Sequence, residues 1–250
     1  MQNFSIRSFL GLLLLIFFCT CPGCDSGTSG VVNKYEAKSI TLNSEVAATQ
    51  AAKIRKEANV EVIDDLELSL WAADSIVQDP IAISVAPDGR IFYTRATRQT
   101  SSEFDIRGHM NWTVASMSFE TVEDRRAFLR KTFEAGSKES EAHLKDLNKD
   151  GVRDWRDLAV EEENVWFVSD KTGDGVADYT QRYLEDFGEE ITDVANGIEY
   201  HNGDVYIAVG PDLWKTTDKN KDGIADGTES LAHGFAVHVG FSGHGMSGVT

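Results

Sequence analysis

Asn164-Val165-Trp166-Phe167-Val168-Ser169-Asp170-Lys171-Thr172-Gly173-Asp174-Gly175-Val176-Ala177-Asp178 returns 48 positions later as Asp212-Leu213-Trp214-Lys215-Thr216-Thr217-Asp218-Lys219-Asn220-Lys221-Asp222-Gly223-Ile224-Ala225-Asp226. In each copy a short β-like run carries a tryptophan four residues before the first aspartate of an acidic, glycine-containing loop. A period of 40–50 residues built from short strands is the pattern of propeller blades. The expected fold is therefore all-β, an incomplete β-propeller of the first blades with Asp/Gly-rich cation loops.

Working outward, two hairpins frame this repeat. Ile81–Val85 and Arg90–Thr94 flank Pro87-Asp88-Gly89, and Gly197–Tyr200 and Asp204–Ala208 flank His201-Asn202-Gly203. Asn-Gly between alternating apolar runs is a strong hairpin signal. Leu66–Ala72 also alternates and predicts a strand. Between the hairpins, Glu120–Phe133 predicts one inserted helix, with Val122, Leu129 and Phe133 near helical spacing and Glu120 at the positive end of its dipole. Gly248-Val249 stands 51 positions after Gly197-Ile198 and predicts the start of a third hairpin. A propeller closes its ring to remove free edges, and about three blades do not. The expectation is thus a partial propeller over 63–250, truncated at its C-terminus.

A third acidic loop precedes the two in the repeat: Asp146-Leu147-Asn148-Lys149-Asp150-Gly151-Val152-Arg153-Asp154. All three place side-chain oxygens at alternate positions before a glycine, as a loop wrapping Ca²⁺ does. The expected ligands of the first are Asp146, Asn148, Asp150, Val152 through its carbonyl, Asp154, and Asp157 at the twelfth place. Those of the second are Asp170, Thr172, Asp174, Val176 and Asp178, with Gln181 at the twelfth place. The third offers Asp218, Asn220, Asp222, Ile224, Asp226 and Glu229, and satisfies the EF-hand loop formula. The third should bind best and the second worst. The competing reading is of Asp/Gly turns that only connect strands.

The formal net charge of −17, from 41 acids and 24 bases, argues against a nucleic-acid partner. Arg7 followed by the apolar run Phe9–Phe18 reads as a secretory signal within residues 1–24. All three cysteines, Cys19, Cys21 and Cys24, lie at its end. This resembles a bacterial lipoprotein signal with Cys24 lipidated, although Cys21 stands where leucine is usual. Plain secretion is the alternative. Either way the protein is expected to be exported, as a periplasmic or outer-membrane lipoprotein held to the membrane by its lipid anchor. Cys21-Pro22-Gly23-Cys24 is followed by Asp25 and so is not a haem attachment site. No cysteine follows Cys24, so disulfides and thiolate zinc sites are excluded beyond it. Bound Ca²⁺ could replace a disulfide as a staple. Residues 25–62 read as a polar tether and stalk.

Gly243-His244-Gly245-Met246-Ser247-Gly248 matches the dinucleotide fingerprint, but lacks the following helix and acidic residue that give that pattern meaning. Of the late histidines, His233, His238 and His244, spaced as along a strand rather than a zinc-binding helix, His244 is the candidate general base.

Several runs now converge: Ser102–His109, Glu123–Phe133, the acidic loops, Gly210–Trp214, His233–His238 and Gly243–Thr250. Together they resemble the N-terminal part of exported proteins of Planctomycetes and Bacteroidetes described as membrane-bound dehydrogenases or haem-binding-domain proteins. The propeller of those proteins is similar to soluble, PQQ-dependent glucose/sorbosone dehydrogenases. The resemblance implies an oxidoreductase that oxidises a sugar or alcohol with a quinone and passes electrons to a cytochrome c domain. It implies that His244, in a His-x-x-x-Gly context with Gly248, takes the substrate hydroxyl proton. It also implies that the quinone contacts and the haem lie downstream, so that this stretch alone is inactive. The alternative is a non-catalytic, Ca-stabilised propeller that binds glycans or proteins.

Overall fold

A computed structural model describes residues 38–185 and 187–249. The cysteines and the signal segment, Cys24 included, lie outside them. No helix among the described residues is long and apolar enough to cross a membrane. In chain order the elements are β1 (Ser39–Thr41), α1 (Ser44–Ala58), β2 (Pro80–Val85), β3 (Ile91–Ala96), α2 (Thr113–Met117), α3 (Val122–Thr132), α4 (Lys138–His143), β4 (Glu163–Ser169), β5 (Tyr179–Leu184), β6 (Gly197–His201), β7 (Asp204–Val209), β8 (Asp212–Thr217) and β9 (Gly227–His233). Short 3₁₀ turns punctuate the helical region.

The architecture is mostly β. One sheet has the order β1-β5-β4-β3-β2 and the other β6-β7-β8-β9, with every pairing antiparallel. Apart from β1, each sheet is a four-stranded meander. Both are open, and no closed ring is present among the described residues. The 48-residue repeat maps β4 onto β8 and β5 onto β9, with an acidic loop joining each pair. Gly89 and Gly203, in the two hairpin turns, are 114 positions apart. The excess of 66 over 48 equals the length of segment 97–162, which separates β3 from β4. The helical region is thus an insertion into an otherwise repeated unit.

Both predicted hairpins form. Asn202 and Gly203 have φ of 52° and 95°, the pair of positive values a type I′ turn demands. The inserted helix also forms, as α3. Thr121 caps it in a reciprocal box with Asp124, and Val122, Leu129 and Phe133 face the core. One helix does not describe the insertion, however. It adds α2, α4 and several 3₁₀ turns around Trp112, Leu144 and Leu158.

Two expectations need correction. Residues 25–62 read as a polar, weakly helical tether and stalk; from Lys38 onward they form helix α1, capped by Asn43, and also an unforeseen edge strand, β1, on β5. Of the helix only Ala47 and Ala51 are buried, which accounts for its polar composition. Conversely, Leu66–Ala72 forms no strand. Leu66 is 65% exposed, and β1 already occupies the edge of the sheet beyond β5. The segment still makes a backbone contact at its end. The Ala177 N–H donates to the Trp71 carbonyl at 2.7 Å, as the Ala225 N–H, 48 positions on, donates to the Tyr183 carbonyl at 2.8 Å.

The two sheets meet through aromatic packing. Phe92 on β3 stacks on Tyr200 of β6 at 5.4 Å and meets Tyr183 of β5 edge-on at 5.3 Å. Val165, Ile198, Val205 and Ile207 complete the shared core. Beside it, the Ser84 hydroxyl donates to Glu199 and accepts from the Tyr200 N–H. Removing a fully buried phenylalanine side chain costs about 3–5 kcal/mol. Phe92→Ala should lose that much in urea unfolding, whereas Leu66→Ala should stay within about 0.5 kcal/mol of the parent.

Candidate functional site

The three acidic loops share one wiring scheme. The first aspartate accepts from the glycine N–H five residues on: Asp146 from Gly151, Asp170 from Gly175, Asp218 from Gly223. The fifth-position aspartate accepts from the N–H two residues on: Asp150 from Val152, Asp174 from Val176, Asp222 from Ile224. Asn148 and Asn220 each brace the fifth position, accepting from its N–H and donating to its carboxylate. Thr172, at the matching place of the second loop, instead bonds Asp170.

The loops differ in the residue that closes them. In the second and third it is the ninth-position aspartate. Asp178 accepts from the Lys171 N–H at 2.8 Å, and Asp226 from those of Lys219 and Asn220 at 2.6 and 3.2 Å. In the first it is Asp157, which accepts from the Leu147, Asn148 and Asp154 N–H groups, while Asp154 turns to Arg156. The expected twelfth-position residues of the other two loops serve elsewhere. Glu229 lies on β9 opposite Lys215, exposed. Gln181 on β5 donates to the Asp222 carbonyl and so steadies the third loop rather than closing the second. Both follow from the repeat: a strand begins right after the ninth-position aspartate and carries later residues away from the loop.

Two carboxylate oxygens in these loops are buried and meet no hydrogen-bond donor among the described residues: Asp146 Oδ1 and Asp226 Oδ1. A buried anionic oxygen without a partner is costly, and a bound cation would relieve it. The second loop holds no such atom among the described residues. Desolvation works against the charge of Asp170, but the N–H groups of Gly175, Gly173 and Asp174 outweigh it and hold the carboxyl below its usual range. The first and third loops therefore suit Ca²⁺, and the second is largely satisfied by its own backbone.

His244 lies 115–142 positions from the insertion residues that share its cavity, Ser102 to Leu129, and the fold brings them together. Segment 235–246, α3, the Ser102–Phe104 stretch and residues 190–193 enclose a cavity of 280 Å³, with His244 on its wall. The glycine-rich loop is held from below by the insertion. Glu103 accepts from the Ser242 hydroxyl and the Gly243 N–H, Asp105 accepts from the Ser242 N–H, and the Ile106 N–H donates to the Gly240 carbonyl. Hydrogen bonding from Arg107 holds Asp105 ionised far below the usual carboxylate range. Gly245 approaches so closely that a Cβ would stand 3.0 Å from Asn196 Nδ2. The His244 ring lies edge-on to Phe241 and makes no hydrogen bond to a described residue.

Sequence reasoning missed part of the cavity lining. Arg125, not singled out within the predicted helix, is buried and donates to Asp193 at 3.0 Å and to the Ile191 carbonyl. Its neighbours Arg126 and Arg130 grip Glu190 at 3.0 and 2.6 Å. Nothing local distinguishes Arg125 from Arg126, because its partners lie more than 60 residues away. His233 pairs with Asp212 at 3.0 Å, at the end of β9. His238 Nδ1 lies 2.6 Å from the Ser116 carbonyl. Neither His238 nor His244 is on a strand, contrary to the alternation read from their spacing, because the chain leaves the sheet at Gly234.

The fold and sites define a mostly β protein: two open antiparallel meanders, an acidic loop at the same joint of each, and a helical insertion that forms a cleft with the last described loop. A family model described as "Domain of unknown function (DUF7133)" matches residues 55–248, and the chain belongs to that family. No curated protein and no solved structure matches it.

Burial alone would raise the Glu190 pKa, but its own backbone N–H, the Arg130 hydrogen bond and the charges of Arg126 and Arg130 bring it below the ordinary 4.5. A depressed carboxylate stabilises the fold above its unfolded pKa and loses that contribution as pH falls through the folded value. Glu190→Gln should cost about 1.5–3 kcal/mol at neutral pH. Urea unfolding between about pH 3 and 7 should show a shallower acid limb than the parent's, because the titrating group is gone.

Proposed function

We propose that this protein is an exported β-propeller oxidoreductase domain, stabilised by Ca²⁺, that binds a sugar or alcohol in the cleft beside His244. The single observation that carries this reading is the placement of His244, whose ring has no hydrogen-bond partner among the described residues, in the lining of a small cavity that the Arg125–Asp193 pair also lines. Carboxylate and guanidinium groups suit a polyhydroxylated ligand, and Phe235, Phe241 and Met246 give it an apolar face. The propeller reading rests on the two meanders, on β6 lying beside β2 and β3, and on Gly248 lying against Gly197. Gly248 N would stand 2.9 Å from a Cβ there, a spacing suited to neighbouring first strands of blades.

In this proposal His244 accepts the proton of the substrate hydroxyl as the carbinol C–H is oxidised. Arg125 and Asp193 orient the other hydroxyls, and the Glu103 and Asp105 clamp keeps the glycine-rich loop in place. A quinone would supply the electron acceptor. The cavity does not fit a polycarboxylate quinone such as PQQ, however. Its lining carries Glu103 and Glu190, and its one arginine is already paired with Asp193. No step at these residues is assigned to the quinone or to a haem c. Export, with Cys24 as lipid anchor in the periplasm or outer membrane, belongs to the same proposal.

The protein expressed from its complete gene, supplied with quinone and Ca²⁺, should reduce a redox dye with one or more members of a sugar and alcohol panel. His244→Ala should slow it by about 10²–10⁴. No dye reduction across the panel, or a variant as fast as the parent, overturns the proposal. For the loops, Ca²⁺ at about 100 times its Kd should add about 2.7 kcal/mol of stability. Asp226→Asn should remove most of the thermal shift and Glu229→Gln almost none. The reverse pattern would restore the twelfth-position assignment.

A second reading, a non-catalytic propeller binding glycans or proteins, is favoured by one feature. Ile81, Ile83 and Val85 form an exposed apolar row along β2.

A further inference from the structure

His109, Glu139 and His143 bring one ligand atom each to within 4.8 Å of one another, the only such trio of His, Cys, Asp or Glu side chains among the described residues. None of them belongs to the acidic loops or to the cleft. We propose that these three residues form a binding site for a divalent transition metal ion of the zinc type.

Local structure brings the ligands together. Glu139 and His143 stand four residues apart on α4 and so share one helix face. Their Nε2 and Oε2 atoms lie 3.3 Å apart. That is close to the edge of about 3.3–3.4 Å that a tetrahedron with metal–ligand bonds of about 2.0–2.1 Å requires. His109 enters from the kink between two 3₁₀ turns, Ile106–Gly108 and Met110–Trp112. Its ring stacks on Trp112 at 3.9 Å and 18°, and lies edge-on to Phe104 at 5.3 Å and to His143 at 4.8 Å. The imidazole is therefore oriented by aromatic packing rather than by the metal, which lowers the ordering cost of binding.

The donor set selects the ion. Two imidazoles and one carboxylate suit zinc and its neighbours, whereas Ca²⁺ takes oxygen. The aromatic wall shields one side. His143 and Glu139 keep side-chain exposures of 41% and 35%, so the other side is open to a water as fourth ligand. An exposed His–Glu pair is weak and leaves the facing His109 unexplained. A metal there would tie two segments of the insertion that are 30 residues apart in the chain. It would also steady the first acidic loop, since α4 runs through Leu144 into it and Arg153 reaches back to the Glu141 carbonyl.

The test uses the full chain after treatment with a chelator. Zn²⁺ is followed by calorimetry and Co²⁺ by its visible absorption. The parent should bind one equivalent at micromolar or tighter affinity, with a Co²⁺ spectrum of four-coordinate intensity and a raised melting temperature. His109→Phe keeps the stack on Trp112 and removes the ligand nitrogen. It should weaken binding at least tenfold while the far-UV spectrum stays unchanged, and His143→Gln should do the same. Asp218→Ala should bind Zn²⁺ as the parent does, which separates this site from the calcium loops. Absence of binding in the parent, or parental affinity in both histidine variants, overturns the proposal. Should His109→Phe misfold, His143→Gln, at a partly exposed position, decides.

Discussion

The stack of Phe92 on Tyr200 is the contact on which the rest of the structure depends. Phe92 belongs to the sheet that carries the insertion, and Tyr200 to the sheet from which segment 234–249 emerges. Aromatic pairs add roughly 0.5–1.5 kcal/mol beyond the area they bury. Here the pair also fixes position, since Tyr183 and Phe167 close around the same ring. With β6 held beside β2 in this way, the last loop falls against the insertion and the cleft exists. Loosening that contact would disperse His244 and Arg125 without altering either residue.

The insertion is attached by charge as well as by apolar packing. Its α3 presents Arg125, Arg126 and Arg130 to Asp193, Glu189 and Glu190, and Arg98, also in the insertion, is buried and donates to the Glu190 carbonyl. Burying guanidinium groups is costly unless each meets an acceptor. The chain meets this demand with a single short acidic stretch placed before β6. The same stretch lines the cleft, so attachment of the insertion and formation of the site are one structural event. The acidic loops are a separate matter. They sit at the outer joints of the meanders and in the insertion, where a cation would stiffen turns without touching the cleft.

Much of this was legible in the residues. The Trp-plus-loop repeat, Asn202-Gly203 and Pro87-Asp88-Gly89 report local backbone chemistry, and local chemistry survives in one dimension. The odd wiring of the second loop has the same local origin: threonine in place of asparagine at residue 172 bonds Asp170 instead of bracing the fifth position. The closing residues of the loops were not legible. Whether the ninth or the twelfth position turns inward depends on where the next strand starts. Leu66–Ala72 failed in the same manner, because alternation states that a strand is possible, and pairing with a neighbour decides whether it forms.

The sequence by itself determined the repeat, the hairpin turns and the inserted helix α3, all set by φ/ψ preference and side-chain spacing within about a dozen residues. Only the tertiary structure decided which arginine is buried, that His109 meets α4, and that His244 and Arg125 line one cavity. Those pairings join residues from 30 to more than 100 positions apart. They are selected by the burial of aromatic faces and the matching of buried charges, quantities that no stretch of chain possesses until it is packed against another.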